Sequence, residues 1–564
     1  MRAVVLWLLL ITIMGCSDKV AVTTNVQLNP EWTNFSSDFV ESYLKAHPGF
    51  AVVAGRHEYD GQLPDWSAKG IQSEIERLHE QRRQAAGFQL TQPDQVFEQS
   101  YLLSRIDRDL FWLEEARWPF KNPAFYFDWM LDSLDPSVYL SRQYAPIEDR
   151  LTAYLKYLSN LSRALEQVQD NLSTAALPVT YIDYAVSSFS GLAQFIEGDG
   201  LDAFSEVSDP ALTRQATELS RQAATATKSL VAWFERQRVE QTDGFALGEN
   251  GFLSMLEMTE GVTVEIGELQ RWGEEDLSRN LSALTRACAE YAPESSVADC
   301  VVKANSKKPQ GGMLAGARRQ LEELQQFVLD RDLVSVLGAG HIRVEEAPAY
   351  NRSNAAYIDV SGPFEADLSA VYYLAPPDPN WTDLEQKDYV PSYGDLMFTS
   401  IHEVWPGHFL QFQHANQQDS QVARLFVSYA YTEGWAHYAE QMMWEAGFGD
   451  GNPELHIGQL LNALLRNVRY LVAIGLHTKG MSVSEAEAMF RNLAFQDAKS
   501  ARQQAVRGTY DPAYINYTLG KLLLLQLRAE WTKQRGGQAA WKAFHDQVLK
   551  HGGPPISLLR DRMM

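Results

Sequence analysis

Apolar residues recur at three- and four-residue spacing through most of this chain, and that period commits it to packed helices. SDFVESYLKAH, GIQSEIERLHEQRRQAAG and YLKYLSNLSRALEQVQDNLS carry it before residue 241. VEIGELQRWGEEDLSRNLSALTRACAEY and LAGARRQLEELQQFVLDRDLV carry it afterwards. One region breaks the period. Between 334 and 376, VSVLGAGHIRVEEAPAY, AAYIDVSG and LSAVYYLAPP are rich in Val, Ile and Tyr and bounded by Gly and Pro. This predicts a small sheet of about three or four strands. From Tyr393 the pattern is helical almost to the end, with helices expected near 395–418, 420–447, 454–477, 482–494 and 514–535. The expected fold is mainly α, with one small β-sheet beside a central pair of histidine-rich helices. The Gly-rich stretch DGFALGENGF, residues 243–252, divides a helical N-terminal half, 31–245, from a C-terminal half, 246–564.

The first residues are of another kind. MRAVVLWLLLITIMGC has one Arg, an apolar run from Ala3 to Met14, then Gly15 and Cys16. The run is shorter than the roughly 20 residues that span a bilayer, and it fits the apolar core of a secretory signal, residues 1–15. Ile13-Met14-Gly15-Cys16 resembles a bacterial lipobox, which implies cleavage before Cys16 and lipidation of its thiol. Ser17 rather than Asp follows, which favours an outer-membrane anchor facing the periplasm. Residues 16–30 then read as a lipidated polar tether. Export means an oxidising compartment, so the two remaining cysteines, Cys288 and Cys300 in RACAEYAPESSVADC, are expected to pair.

The formal net charge of −23 over 564 residues argues against binding nucleic acid through its phosphates. It also argues against a polybasic membrane patch, leaving the lipid anchor as the membrane contact.

Chemistry concentrates between 402 and 477, which hold His402, His408, His414, His437, His456 and His477, six of the twelve histidines. HEVWPGHFLQ opens like the zinc helix H-E-x-x-H, but Pro406 stands where the second His belongs and His408 comes two residues later. On an ideal helix residues four apart diverge by about 40°, and residues six apart by about 120°. Pro406 cannot donate to the His402 carbonyl, and Gly407 tolerates unusual dihedrals. A bulge or kink at 405–407 could therefore return His408 to the face of His402. Alternatively, one helix ends at Trp405, another opens at Pro406, and His402 is an ordinary polar residue at a helix end. In SYAYTEGWAHYAEQMMWEAG, Glu433, His437 and Glu440 share a face at i, i+4 and i+7. Glu433 follows His408 by 25 residues and is a candidate third ligand. His437 is its rival, and Glu440 is a natural partner to orient a ligating His. Catalytic zinc takes three such nitrogen or oxygen ligands and keeps a position open.

With these motifs the chain resembles the bacterial lipoprotein family catalogued as domain of unknown function 885. The resemblance covers nearly all of the mature chain. It runs through AGRHEYDGQLPDWS, ALGENGFLSML, HEVWPGHFLQ, TEGWAHYAEQM, IGLHTKGMSVSEA and YTLGKLLLLQLR. The family looks like a distant relative of thermolysin-type (gluzincin) zinc peptidases, with the helical build of carboxypeptidase Taq and oligopeptidases. The resemblance implies a metallopeptidase-like fold. It also implies a Zn2+ ion held by His402, His408 and Glu433, with Glu403 as general base. His477 and Tyr517 match family-like positions. Candidate donors to the oxyanion are Tyr517, Tyr514, Arg507 and His477, in that order, whereas His341, His414 and His456 read as ordinary structural histidines.

The expected function is a zinc-dependent hydrolase in the cell envelope, a metallopeptidase acting on short peptides. A metal-free binding lipoprotein with a degenerate peptidase fold stays open, as does a zinc amidase acting on a non-peptide amide. SAVYYLAPP, residues 369–377, is either an exposed edge strand that holds extended peptide or a buried strand of the sheet.

Overall fold

The computed structural model describes residues 28–564, apart from 128–129, 175, 239–243, 339–341, 349–351, 353–354 and 366–367. The signal segment, Cys16 and His341 lie outside the described residues. Helices dominate, and the described strands form one three-stranded sheet. No described helix is long and apolar enough to cross a membrane. Cys288 and Cys300 are joined in a disulfide, S–S 2.04 Å, which closes a loop of 12 residues.

The sheet consists of β1 (Ile342–Glu346), β2 (Ala356–Asp359) and β3 (Ala370–Leu374), in the order β1-β3-β2. β3 is parallel to β1 and antiparallel to β2. Every residue of β3 is buried. Ala370, Tyr372 and Leu374 face the core of the C-terminal helices, while Val371 and Tyr373 pack on the other face. Alternation along a strand explains this two-sided burial. SAVYYLAPP is therefore the central strand and offers no edge to a peptide. The edge strand that lines the cleft described below is β2.

The expected helices differ at their breaks. The stretch near 395–418 is two helices, Tyr393–Glu403 and His408–Asn416. The stretch near 420–447 splits into Gln421–Leu425 and Tyr429–Glu445. Ala498–Tyr510 is a further helix that was not anticipated. Of the Gly-rich stretch, residues 244–247 are irregular and Gly248 opens the helix Gly248–Glu260. Side chains fix the helix starts around the site. The Ser392, Ser428 and Asn452 oxygens accept from backbone N–H groups of the first turns of Tyr393–Glu403, Tyr429–Glu445 and Pro453–Thr478.

Pro453–Thr478 is the axis of the molecule. It is buried on most sides and packs against Ile266–Tyr291, Tyr393–Glu403 and Ala498–Tyr510. Tyr429–Glu445 packs against Asn516–Thr532. Their crossing depends on two glycines. A Cβ on Gly434 would come within 2.5 Å of Gly520 Cα, and one on Gly520 within 1.8 Å of the Ala430 oxygen. That approach fixes the rotation of the helix that carries Glu433. One core cluster joins residues from Trp32 to Ala304 with others from 422–426 and 457–519. A second gathers residues from 317–455 and 524–559. Between N-terminal helices, sheet and C-terminal helices lies a cleft of 2470 Å³.

Candidate metal centre

The two histidines are brought together by the break in their helix. Val404 leaves the helical region at φ −124°, ψ −76°. The Trp405–Pro406 peptide is cis, and Gly407 caps the next helix, which begins at His408. The turn is so tight that a Cβ on Gly407 would sit 1.8 Å from the His402 carbonyl oxygen. No other residue fits there. Trp435 Nε1 donates to the Pro406 oxygen at 2.9 Å, fastening the turn to the helix of Glu433. The break is thus a full interruption between two helices, and it still converges the imidazoles, whose ring centroids are 4.8 Å apart.

Glu433 completes the group. Its Oε2 lies 3.3 Å from His402 Nε2 and 3.5 Å from His408 Nε2. Ligand atoms of the three residues all lie within 4.8 Å of one another. Two ligands about 2.1 Å from a tetrahedral zinc stand roughly 3.4 Å apart, so the spacing suits that ion. The contacts are too poorly aligned to be hydrogen bonds. Among the described residues, Glu433 Oε2 and His408 Nδ1 are buried with no hydrogen-bond partner. A buried carboxylate oxygen left this way needs a cation. Burial would raise the Glu433 carboxyl, but the charges of His408 and His402 hold it well below the usual carboxylate range. The donor set, two imidazoles and one carboxylate, is one that zinc takes.

Behind the ligands stands a second layer. His402 Nδ1 is 2.8 Å from Glu440 Oε1, and Glu440 is paired with Arg466 at 3.1 Å. Burial opposes the charge of Glu440, but Arg466 and His402 keep it ionised. An ionised Glu440 accepts the Nδ1 proton and leaves the Nε2 lone pair aimed at the centre. Burial and the charge of Arg466 lower the His402 pKa, and the Glu433 and Glu440 carboxylates beside it more than reverse this.

His437, the rival to Glu433, lies outside this group of three. It is fully buried, 3.7 Å from Glu440 Oε2, and neither ring nitrogen has a hydrogen-bond partner. Burial, with Lys521 nearby, pushes it well below the ordinary imidazole range. It shares a face with Glu433 by periodicity, yet it lies beside Lys521 of the Asn516–Thr532 helix.

Glu403 lines the cleft beside the ligands. Burial raises its carboxyl above the usual range, although His402 and His408 oppose this. Tyr517 also lines the cleft, with its ring stacked 6.3 Å from that of His402. Burial and the Glu433 carboxylate raise its hydroxyl, while Arg507 and Arg469 oppose. It therefore remains a protonated donor. Arg507 faces the cleft, paired with Asp511 at 2.9 Å.

Tyr514 and His477 do not belong to the centre. Tyr514 is fully buried under Gly508, where its hydroxyl has no partner. The buried His477 bonds the Gly508 oxygen through Nε2 at 2.8 Å and lies between Phe245 and Phe252. Both are candidate oxyanion donors by sequence, but Gly508 of helix Ala498–Tyr510 packs against each of them. His414 holds the Ser335 oxygen at 2.7 Å and His456 stacks on Trp444, as expected for structural histidines.

Three cleft residues escaped the sequence reading. Arg466 and Arg469 sit i, i+3 inside the apolar run LLRNVRYLV, and two charges in a buried helix are a signal in themselves. Tyr429 lies four residues before Glu433, on its face. Its hydroxyl accepts from Arg507 Nη2 at 3.1 Å.

The family model described as "Bacterial protein of unknown function (DUF885)" matches residues 48–563. The chain belongs to this family. No curated protein matches it. Two solved structures share the fold of this DUF885 protein. A candidate lipoprotein of unknown function from Shewanella oneidensis is 21% identical, with TM-score 0.77, over 94% of this chain and 99% of its own. A candidate lipoprotein from Colwellia psychrerythraea is 17% identical, with TM-score 0.80, over 94% and 98%. A candidate oligoendopeptidase F from Bacillus anthracis aligns over 87% and 92% at 13% identity, but its TM-score of 0.28 is too low to argue from.

Proposed function

We propose that this DUF885 protein is a zinc-dependent hydrolase of the cell envelope that cleaves amide bonds in short peptides. The reading rests on one observation: His402, His408 and Glu433 converge beside Glu403 at the wall of a large cleft. The candidate lipoproteins among its structural relatives and the lipobox-like Ile13-Met14-Gly15-Cys16 favour a lipid-anchored location.

His402 Nε2, His408 Nε2 and a Glu433 oxygen would hold the ion. A zinc ion supplies Lewis-acid polarisation of a carbonyl and makes a water acidic near neutral pH. Glu403 takes the proton of the attacking water and passes it to the leaving amine; its raised carboxyl pKa suits both transfers. Tyr517 donates its hydroxyl to the developing oxyanion. Glu440, kept ionised by Arg466, holds the His402 tautomer throughout. The two-walled cleft admits an extended segment and excludes folded substrates.

Metal analysis and a peptide-library digest test the reading. The purified protein is expected to carry about one zinc and to cleave peptides, and Glu403→Gln should keep the zinc and lose the cleavage. Protein with no stoichiometric metal that gains none from added zinc would sink the proposal. Bound zinc with no peptide cleaved by wild type would move the substrate to another amide.

A further inference from the structure

Arg469 is anomalous among the buried arginines. Its side chain is nine-tenths buried, yet it lines the cleft. Arg105, Arg108 and Arg466 each have a carboxylate at ion-pair distance. Arg150 has none, but it gives its donors to three carbonyls. Arg469 makes no ion pair among the described residues. Its Nε donates to Gln504 Oε1 at 2.8 Å, and its guanidinium lies over the Tyr517 ring at 4.9 Å. The titratable groups that act on it most are Arg507, Tyr517, Arg466 and Tyr429, none of them a carboxylate. In a chain with a net charge of −23, carboxylates are plentiful, so their absence at this one place is informative.

A buried guanidinium with no anion is costly and stays available for a planar, bidentate partner. The Tyr517 ring neighbours both, 4.9 Å from the Arg469 guanidinium and 6.3 Å from the His402 imidazole. An anion on Arg469 would therefore sit within a few extended residues of the ligands, at about 3.5 Å per residue. We propose that Arg469 is a positioning residue that anchors a carboxylate of the peptide, and so directs cleavage close to that carboxylate. The inference rests on the peptidase reading above. The carboxylate has two possible sources, the free C-terminus or an acidic side chain.

Calorimetric titration of the full chain carrying Glu403→Gln, which leaves peptide uncleaved, separates them. The probes are Ala-Ala-Ala as free acid, Ala-Ala-Ala as C-terminal amide, and Ala-Ala-Asp as C-terminal amide. The free acid or the Asp amide is expected to bind at least about tenfold tighter than the Ala amide. Tight binding of the free acid alone identifies the C-terminus, and recovery by the Asp amide identifies the side chain. The advantage should vanish with Arg469→Met and return in part with Arg469→Lys. Equal binding of all three probes, no binding of any, or an advantage that survives Arg469→Met overturns the proposal. Failure of the hydrolase reading shows elsewhere, in the metal content and in the wild-type digest.

Discussion

Two buried histidine–carboxylate clusters among the described residues are built to opposite ends. In the N-terminal half His47 bonds Asp132 at 2.6 Å through Nδ1 and Glu74 at 3.2 Å through Nε2. Asp132 also accepts from the Gly49 and Phe50 amides. Every ring nitrogen there is used. At His402, His408 and Glu433 the same side-chain types converge, but Glu433 Oε2 and His408 Nδ1 have no hydrogen-bond partner and the group faces a cleft. A satisfied cluster holds a fold together; one that leaves buried polar atoms unpaired at a cavity wall is poised for a ligand.

The sharpest way to break the contrast is Glu403→Gln. Peptide turnover should fall about a thousandfold with metal content unchanged, as befits loss of a general base. A variant that retains turnover would place the base elsewhere. Next comes Tyr517→Phe, which should lower kcat about a hundredfold and leave KM nearly constant. An effect confined to KM would make Tyr517 a binding group only.

The N-terminal cluster should respond to pH instead. Burial pushes the His47 imidazolium down, and Asp132 and Glu74 more than reverse this, to about 9. A folded pKa above the unfolded one gives stability that is complete below about pH 6.5 and lost as the pH rises through 9, worth about 3 kcal/mol. The unfolding free-energy gap between wild type and His47→Gln should therefore shrink between about pH 6 and pH 10. A gap independent of pH would mean that the charge of His47 does not matter. The smallest expected effect is on the second layer. Glu440→Gln should weaken zinc affinity about ten- to a hundredfold, read by competition with a chelator, without abolishing binding.

Much of the centre is legible along the chain. His402, Glu403, His408 and Glu433 stand in two short motifs, and Glu440 is found by helical spacing. The helical class and the small sheet follow from periodicity. Tyr514 and His477 mislead because proximity in sequence to a plausible motif says nothing about which side of a helix faces the cleft. Arg469 is hidden for a related reason. A charge in an apolar helix signals an unusual environment, but the missing acid is a fact about neighbours from other helices.

The chain alone carries the donor types, the helical period and a helix interrupted at Pro406. Those are local matters, set by side-chain chemistry and backbone dihedrals within a few residues. Only the tertiary structure decided that the break folds back on the His402 carbonyl and that Glu433, not His437, joins the two histidines. The rotation of the Tyr429–Glu445 helix is set by the contact of Gly434 with Gly520, 86 residues further along the chain. Helical spacing places residues on a face, and packing against distant helices decides what that face meets.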